Sequence, residues 1–156
     1  YVAYCDKFIR DRTNTYQTLK DQESKSAVYE RSRWEQFGKD AESHKIALRE
    51  LVFNNSDGRI AAYGASARSS TMMNYCNLNS DIIEFIIDKN SLKEGRWTPG
   101  TKIPIVGFEE GVQRLKGCAN VFLGAWNFAD EITKDLREAS FEGRILRPLP
   151  GNPKII

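Results

Sequence analysis

A run of small and polar residues is the sharpest chemical signal in this sequence. It comprises Gly64, Ala65, Ser66, Arg68, Ser69 and Ser70. Glycine lets the backbone turn sharply and approach a ligand closely, and a helix N-terminus offers free N–H groups and a partial positive charge to an anion. Serine hydroxyls and a guanidinium can add hydrogen bonds to phosphate oxygens. The run favours a phosphate site. The glycine motif GxGxxG of dinucleotide-binding proteins is incomplete, however, because it would need glycines at positions 66 and 69. The alternative is a tight turn in which a serine caps the helix.

Asp88 and the pair Trp126 and Asn127 each follow a predicted strand. Dinucleotide-binding folds place an acid near the position of Asp88 to bind ribose hydroxyls, and the alternative is that Asp88 caps the next turn with Asn90. Trp126 could stack on a base or form the wall of a pocket. Asn127 either reads a base edge or serves as the N-cap of the following helix. Together with the glycine run, Asp88 favours a nucleotide-like ligand.

The remaining candidates for catalysis have simpler structural explanations. Asp130 and Glu131 resemble an acid pair, but acids in the first turn of a helix favour the helix dipole. His44, the only histidine, lies on an apolar helical stripe and is expected to pack at the edge of the core. One histidine and three scattered cysteines predict no metal site, and we expect reduced thiols, two of them buried. No catalytic residue is predicted.

Apolar segments with turn residues between them define the elements that must position these side chains. Strands are predicted at 59–63, 82–87, 103–106, 120–125 and 144–146, and helices at 28–53, 68–78, 108–115 and 128–139. This alternation predicts an α/β fold, a small Rossmann-like parallel sheet of about five strands with helices on both faces, preceded by a helical arm. The polar segment 18–25 should be exposed, and a weak alternation at 1–4 could be a strand. All five prolines follow Gly58, so we place the boundary between connector and binding domain there.

The loop at 88–104 is long for so small a domain. Long loops that carry tryptophan, lysine and arginine often line a binding site. The alternative is a loop that runs over the protein surface and is anchored by Trp97. The sequence does not distinguish a loop that lines a site from a surface loop.

Composition excludes several classes of protein. The chain has 156 residues with 23 basic and 21 acidic side chains, a net charge of +2, so binding to nucleic acid is not expected. No segment approaches the roughly 18 apolar residues of a membrane span, and no signal peptide is evident. We expect a cytoplasmic protein. Because the first residue is Tyr1, we also expect that the chain is a piece of a longer one.

Four motifs that occur in one order carry a family resemblance. They are 63–68 with Thr71 and 74–76, then Asp88, then 99–105, and finally 125–132. Over about residues 34–150 the chain resembles the C-terminal domain of sugar C-methyltransferases. These enzymes methylate nucleotide-linked 4-keto-6-deoxyhexoses, and they carry a zinc-bearing N-terminal portion and a middle domain that binds S-adenosylmethionine.

The resemblance implies that this chain helps to hold a nucleotide-sugar, expected to be dTDP-linked, against an upstream methyltransferase domain of the same polypeptide. The implied substrate-binding residues are Gly64, Ala65, Ser66, Arg68, Ser69, Ser70, Asn74, Asp88, Trp126 and Asn127. Residues 1–8 would be the last strand of the upstream domain and 9–58 a helical connection. We see no glycine-rich S-adenosylmethionine loop, no cysteine cluster for zinc, and no neighbouring His/Glu pair that could remove the proton next to the ketone. The chain alone is therefore expected to bind substrate without cofactor and without transferring methyl groups.

Two other functions remain open on the sequence. A small regulatory domain that binds NAD or CoA would use the same fold, although the missing glycines count against it. An interaction module that has lost ligand binding is also consistent, because fold does not determine function.

Overall fold

The first part of the computed structural model is helical. The structure describes residues 14–55 and 57–156, which divide into two compact units, the first ending at Ala41 and the second running from Glu42 to Ile156. Helix α1 (Asn14–Lys25) buries no residue, as the exposure prediction for 18–25 required, although the helix itself was not predicted. The possible strand at 1–4 and Cys5 lie outside the described residues.

Helix α2 (Arg31–Phe53) confirms the predicted long helix but not the burial of its whole stripe. In the first unit, Trp34 and Phe37 contact each other edge to face at 6.0 Å, yet they remain 60% and 56% exposed. In the second unit, Leu48 and Val52 are completely buried. The assignment of 1–58 as connector and 59–156 as binding domain stays a prediction.

The second unit is built around a six-stranded sheet. Its strands are β1 (Arg59–Tyr63), β2 (Ile86–Ile87), β3 (Ile105–Val106), β4 (Cys118–Leu123), β5 (Arg144–Arg147) and β6 (Lys154–Ile155). Their order is β3-β2-β1-β4-β5-β6, the first five in sequence are parallel, and β6 is antiparallel to β5. The five predicted parallel strands are confirmed, and β6 was not predicted.

Helices cover both faces of the sheet, as the apolar character of the strands requires. Along β1, Ile60 and Ala62 point to a face covered by Leu48 and Val52 of α2 and by α3 (Ala67–Tyr75), where Met73 is buried. Ala61 and Tyr63 point to the opposite face, covered by α4 (Phe108–Leu115) and α5 (Ala129–Glu138). The Rossmann-like α/β fold is confirmed.

The second strand is shorter than predicted. The N–H groups of Ile82 and Ile83 donate to the carbonyl of Asn79 at 3.0 and 2.9 Å, so the start of the apolar run forms a turn. Pairing with β1 begins only where the N–H of Glu84 donates to the carbonyl of Ile60 at 2.9 Å. Ile83 is fully buried in the turn, and burial alone therefore does not separate a strand from a buried turn.

The strand order reverses between β1 and β4. The chain runs from β1 outward to β2 and β3, then crosses to β4 and continues outward to β5. In open parallel sheets a ligand crevice lies at the carboxyl ends of the two strands that flank such a reversal. The loops that follow β1 and β4 are therefore the positions where a site is expected.

Candidate functional site

Gly64 begins the loop that follows β1 (residues 64–66, the β1 loop). Its φ is +96°, in the region that favours glycine, and its N–H donates to the carbonyl of Ile87 at 2.7 Å. A Cβ on Gly64 would lie 2.4 Å from the Cβ of Ala125 and 2.8 Å from its nitrogen. Glycine is required here because the loop after β4 (residues 124–128, the β4 loop) packs directly against the β1 loop.

Ser66 and Ser69 cap the N-terminus of α3 reciprocally. The Oγ of Ser66 accepts the Ser69 N–H at 3.1 Å, and the Oγ of Ser69 accepts the Ser66 N–H at 2.8 Å. The Ser69 hydroxyl also donates to the carbonyl of Gly64 at 2.9 Å. The capping alternative is thus observed, and Ser69, which is 1% exposed, presents almost no surface to a ligand.

The Asp88 carboxylate ties the β1 loop to the segment after β2. Its Oδ2 accepts the Ala65 N–H at 2.9 Å and the Lys93 ammonium at 2.8 Å, and its Oδ1 accepts the Asn90 N–H at 2.9 Å. Lys93 also donates to the carbonyl of Ala65 at 2.8 Å. Asp88 therefore caps the turn with Asn90 and in addition holds the β1 loop. Sequence reasoning missed Lys93, although the charged loop that carries it was singled out.

The structure brings together Arg68 and Trp126, two predicted site residues from opposite sides of the strand reversal. The Arg68 guanidinium carbon lies 5.8 Å from the centre of the Trp126 ring, a cation–π distance. Among the described residues Arg68 has no ion pair and no side-chain hydrogen bond, so its five N–H donors are available. Within the same part of the chain, the N–H groups of Ala67 and Arg68 have no acceptor.

Three other predicted residues take different positions. Asn127 is exposed within the short 3₁₀ helix Trp126–Phe128, and Phe128 is the N-cap of α5, so Asn127 does not cap that helix. Ser70 is half-buried, and its carbonyl accepts the Asn74 amide at 2.8 Å. The same amide donates to the carbonyl of Pro99 at 2.9 Å. Asn74 therefore fastens the long loop to α3.

That long loop also borders the sheet. The Ile105 N–H donates to the carbonyl of Arg96 at 2.8 Å, and the Gly95 N–H donates to the carbonyl of Ile105 at 3.0 Å. Trp97 is 65% exposed, so burial of its ring does not anchor the loop. The first part of the loop reaches the candidate site through Lys93, and the later part covers the outer side of β3.

A cavity of about 260 Å³ opens beside the β1 loop, and we call it the Lys89 pocket. Its lining residues are Tyr63, Gly64, Asp88, Lys89, Ala125, Phe128, Glu131, Ile132 and Asp135. The Lys89 ammonium lies 2.6 Å from Asp135 Oδ2 and 3.6 Å from Glu131 Oε1, and the hydrogen bond to Asp135 raises the pKa of Lys89. Burial, and then the Asp135 charge, raise the pKa of Tyr63, whose hydroxyl donates to Asp135 at 3.3 Å.

The residues set aside as non-catalytic hold no reactive arrangement. His44 is half-buried on α2, and desolvation lowers its pKa. Cys76 is a buried free thiol as predicted, whereas Cys118 is only half-buried. Within residues 14–55 and 57–156 no group of three or more acidic, histidine or cysteine side chains could hold a metal ion. In the same ranges no helix is long and apolar enough to cross a membrane.

Comparison with known families identifies the domain. A family model described as the C-methyltransferase C-terminal domain matches residues 2–150. The chain belongs to this family. The resemblance drawn from the four ordered motifs is confirmed at the level of this C-methyltransferase domain.

One curated relative of this C-methyltransferase C-terminal domain is the C-methyltransferase NovU of Streptomyces niveus. It is 32% identical over 126 residues, which are 79% of this chain and 29% of the relative. The chain therefore spans less than a third of that protein. Among solved structures, UDP-D-quinovosamine 4-dehydrogenase from Vibrio fischeri aligns with a TM-score of 0.47 at 16% identity, over 64% of this chain and 93% of the other.

Proposed function

We propose that this C-methyltransferase C-terminal domain binds the nucleotide-linked sugar for an S-adenosylmethionine-dependent methyl transfer. The proposed substrate is a dTDP-linked 4-keto-6-deoxyhexose, used in cytoplasmic deoxysugar biosynthesis. One observation carries the proposal: the Arg68 guanidinium, without an ionic partner in the described chain, lies over the Trp126 ring at the strand reversal.

The groups around Arg68 suit a diphosphate. A guanidinium can bind phosphate oxygens through two parallel hydrogen bonds. The free N–H groups of Ala67 and Arg68 belong to the first turn of α3, where the helix dipole also favours an anion. Gly64, Ala65 and Ser66 shape the backbone beneath this position. Their contribution is the course of the loop, because the Ala65 and Ser66 N–H groups already donate to side chains.

Trp126 and Asn127 would contact the base or the sugar. The Trp126 ring is half-buried and Asn127 is exposed beside it. An aromatic ring can stack on either group, and an exposed amide can pair with a base edge or a hydroxyl. Ser70 and Asn74 would act from α3, the second by holding the long loop in place.

The described residues do not fit S-adenosylmethionine itself. The sulfonium of this cofactor is a cation, and the Arg68 guanidinium at the strand reversal is a cation without an ionic partner among the described residues. The β1 loop has one glycine, and the side chains of Asp88 and Ser69 occupy two of its N–H groups. We therefore propose that the cofactor binds to another part of the full-length protein. The role of this chain is then to bind and orient substrate, and the chain alone is inactive.

The alternative of an NAD- or CoA-binding domain receives less support from Asp88. Dinucleotide-binding folds use an acid at this position to accept both ribose hydroxyls. Here the Asp88 carboxylate already accepts three hydrogen bonds, one of them from the Lys93 ammonium. Little acceptor capacity is left for a ribose.

Thermal shift and calorimetric titration with dTDP, dTDP-glucose, NAD, CoA and S-adenosylmethionine test the proposal on residues 1–156 and on the full-length protein. A ligand at a hundredfold its dissociation constant adds about 2.7 kcal/mol of stability. We expect dTDP and dTDP-glucose to stabilise both proteins. Stabilisation by NAD and not by dTDP would reject the proposal. A full-length protein that binds none of the five would support the interaction module instead.

Arg68→Ala tests whether the guanidinium over the Trp126 ring binds the phosphates. We expect it to weaken dTDP binding by about 1.5–3 kcal/mol, because a charge-assisted hydrogen bond is lost. Arg96→Ala is the matched control, since Arg96 is an exposed arginine at the outer side of β3. Equal affinities for the two variants would show that the phosphates bind elsewhere.

A further inference from the structure

The Lys89 pocket is too small for a complete nucleotide-sugar. Its volume is about 260 Å³, below the roughly 300–1,000 Å³ of pockets that hold drug-sized ligands. It opens between the ends of β1 and β2 and the first turns of α5, and it shares Gly64 and Ala125 with the strand reversal. A ligand held by Arg68 could therefore place a single ring in this pocket.

The polar side of the Lys89 pocket is acidic. Three carboxylates and one ammonium line it, from Asp88, Glu131, Asp135 and Lys89. Asp88 already accepts three hydrogen bonds, from Ala65, Asn90 and Lys93. Asp135 Oδ1 and Glu131 Oε2, in contrast, accept no hydrogen bond from the described residues. The pocket thus offers unused acceptors to hydrogen-bond donors.

Part of the Lys89 pocket is apolar. Phe128, Ile132 and Ala125 line it, and the Phe128 side chain is 57% exposed although it is a large aromatic group. Sugar rings present C–H surfaces beside their hydroxyls, and a 6-deoxyhexose adds a methyl group. Apolar groups can contact the C–H surface of such a ring, and the unused carboxylate oxygens can accept hydrogen bonds from its hydroxyls.

We infer that the Lys89 pocket receives the hexose ring, and that Glu131 and Asp135 select rings that donate hydrogen bonds or carry an amine over rings that carry a carboxylate. Like charges placed together in a partly desolvated site repel, so an anionic ring is disfavoured. This inference rests on the proposed function, because Arg68 must hold the diphosphate outside the pocket.

A series of ligands with one nucleotide and different ring charges tests the inference on the full-length protein. The series is dTDP, dTDP-glucose, dTDP-glucosamine and dTDP-glucuronate, titrated calorimetrically at low salt. We expect dTDP-glucosamine to bind at least as tightly as dTDP-glucose, and dTDP-glucuronate to bind at least tenfold more weakly than dTDP-glucose. Added salt should reduce this difference in affinity between dTDP-glucose and dTDP-glucuronate, since Glu131 is partly exposed.

Glu131→Gln should reduce the ratio of the affinity for dTDP-glucose to the affinity for dTDP-glucuronate at least threefold. The affinity for dTDP should stay within twofold. Glu138→Gln is the matched control, because Glu138 lies on the same helix with a similar exposure, 66% against 64%, and does not line the pocket. The control should leave the ratio unchanged.

The possible failures are distinguishable. If dTDP binds and the three sugars bind equally, the ring lies elsewhere and the inference is overturned while the proposed function stands. If discrimination occurs but Glu131→Gln and Glu138→Gln behave alike, the assignment to the Lys89 pocket is wrong. If dTDP itself does not bind, the proposed function fails and the inference fails with it.

Discussion

The two loops that meet at the strand reversal use their polar groups in opposite ways. In the β1 loop, the Ala65 and Ser66 N–H groups donate to Asp88 and Ser69, and the Ser66 hydroxyl caps α3. In the β4 loop, Asn127 is exposed and α5 begins without any side-chain cap. The β1 loop is thus committed to its own conformation, whereas the β4 loop keeps polar groups for other contacts.

This difference separates positioning from recognition. A loop whose hydrogen bonds are internally satisfied holds one backbone course and can support neighbouring groups rigidly. Arg68 stands at the junction, because its backbone belongs to the satisfied helix start and its side chain reaches over the β4 loop. Mutations in the β1 loop should therefore change stability, and mutations in the β4 loop should change binding.

The largest effect is expected from Gly64→Ala. The new Cβ would meet Ala125 at 2.4 Å in a backbone conformation with φ of +96°, so strain and overpacking add to about 2–5 kcal/mol of destabilisation. Urea denaturation measures the change. Gly95→Ala is the control, since its φ of +73° carries the same kind of strain with nothing within 4 Å, and it should cost about 1–2 kcal/mol. Equal losses would mean that the two loops do not pack tightly.

An intermediate effect is expected from Asp88→Asn. The substitution removes the charge that accepts the Ala65 N–H and the Lys93 ammonium, and we expect destabilisation by about 1–3 kcal/mol. Asp130→Asn provides the comparison, because Asp130 is exposed in the first turn of α5 and should cost less than about 1 kcal/mol. An Asp88 variant as stable as the Asp130 variant would show that the β1 loop keeps its course without this carboxylate.

The smallest change in stability is expected from Asn127→Ala, within about 0.5 kcal/mol, as for other exposed positions without structural contacts. Its affinity for dTDP-glucose should nevertheless fall by about 0.5–1.5 kcal/mol if the amide contacts the ligand. Ser66→Ala in the β1 loop should have the opposite effect. It should lose about 0.5–2 kcal/mol of stability because the helix cap is removed, with little change in affinity. Thermal denaturation and titration of both variants check the contrast, and a strongly destabilised Asn127 variant would contradict it.

Most of the fold could be predicted from the sequence because its signals are local and repeated. Apolar strands such as 120–125 and helices with apolar residues on one face, such as Ile132 and Leu136, specify strand and helix independently of tertiary contacts. β6 could not be predicted, since Lys154 and Ile155 are strand residues only through pairing with β5. Helix α1 has no apolar face to reveal it.

The position of the candidate site could be predicted, but its internal contacts could not. Gly64 followed by a serine cap is a local pattern, and the reversal of strand order then places it beside Trp126. The contact of Lys93 with Asp88 depends on how a loop folds back across a strand end, and no periodicity records it. In the sequence, Asn127 suits both a helix cap and a ligand contact, and only the backbone at Phe128 shows that it is not the cap.

The pairing of Gly95 and Arg96 with Ile105 has a consequence for association between molecules. An uncovered edge strand offers a row of free N–H and C=O groups on which another chain can form a further strand. Here the long loop already occupies both backbone groups of Ile105, and the last strand at the opposite edge, β6, is only two residues long. The sheet therefore presents little template for edge-to-edge aggregation, and the loop that brings Lys93 to the candidate site also covers the edge of β3.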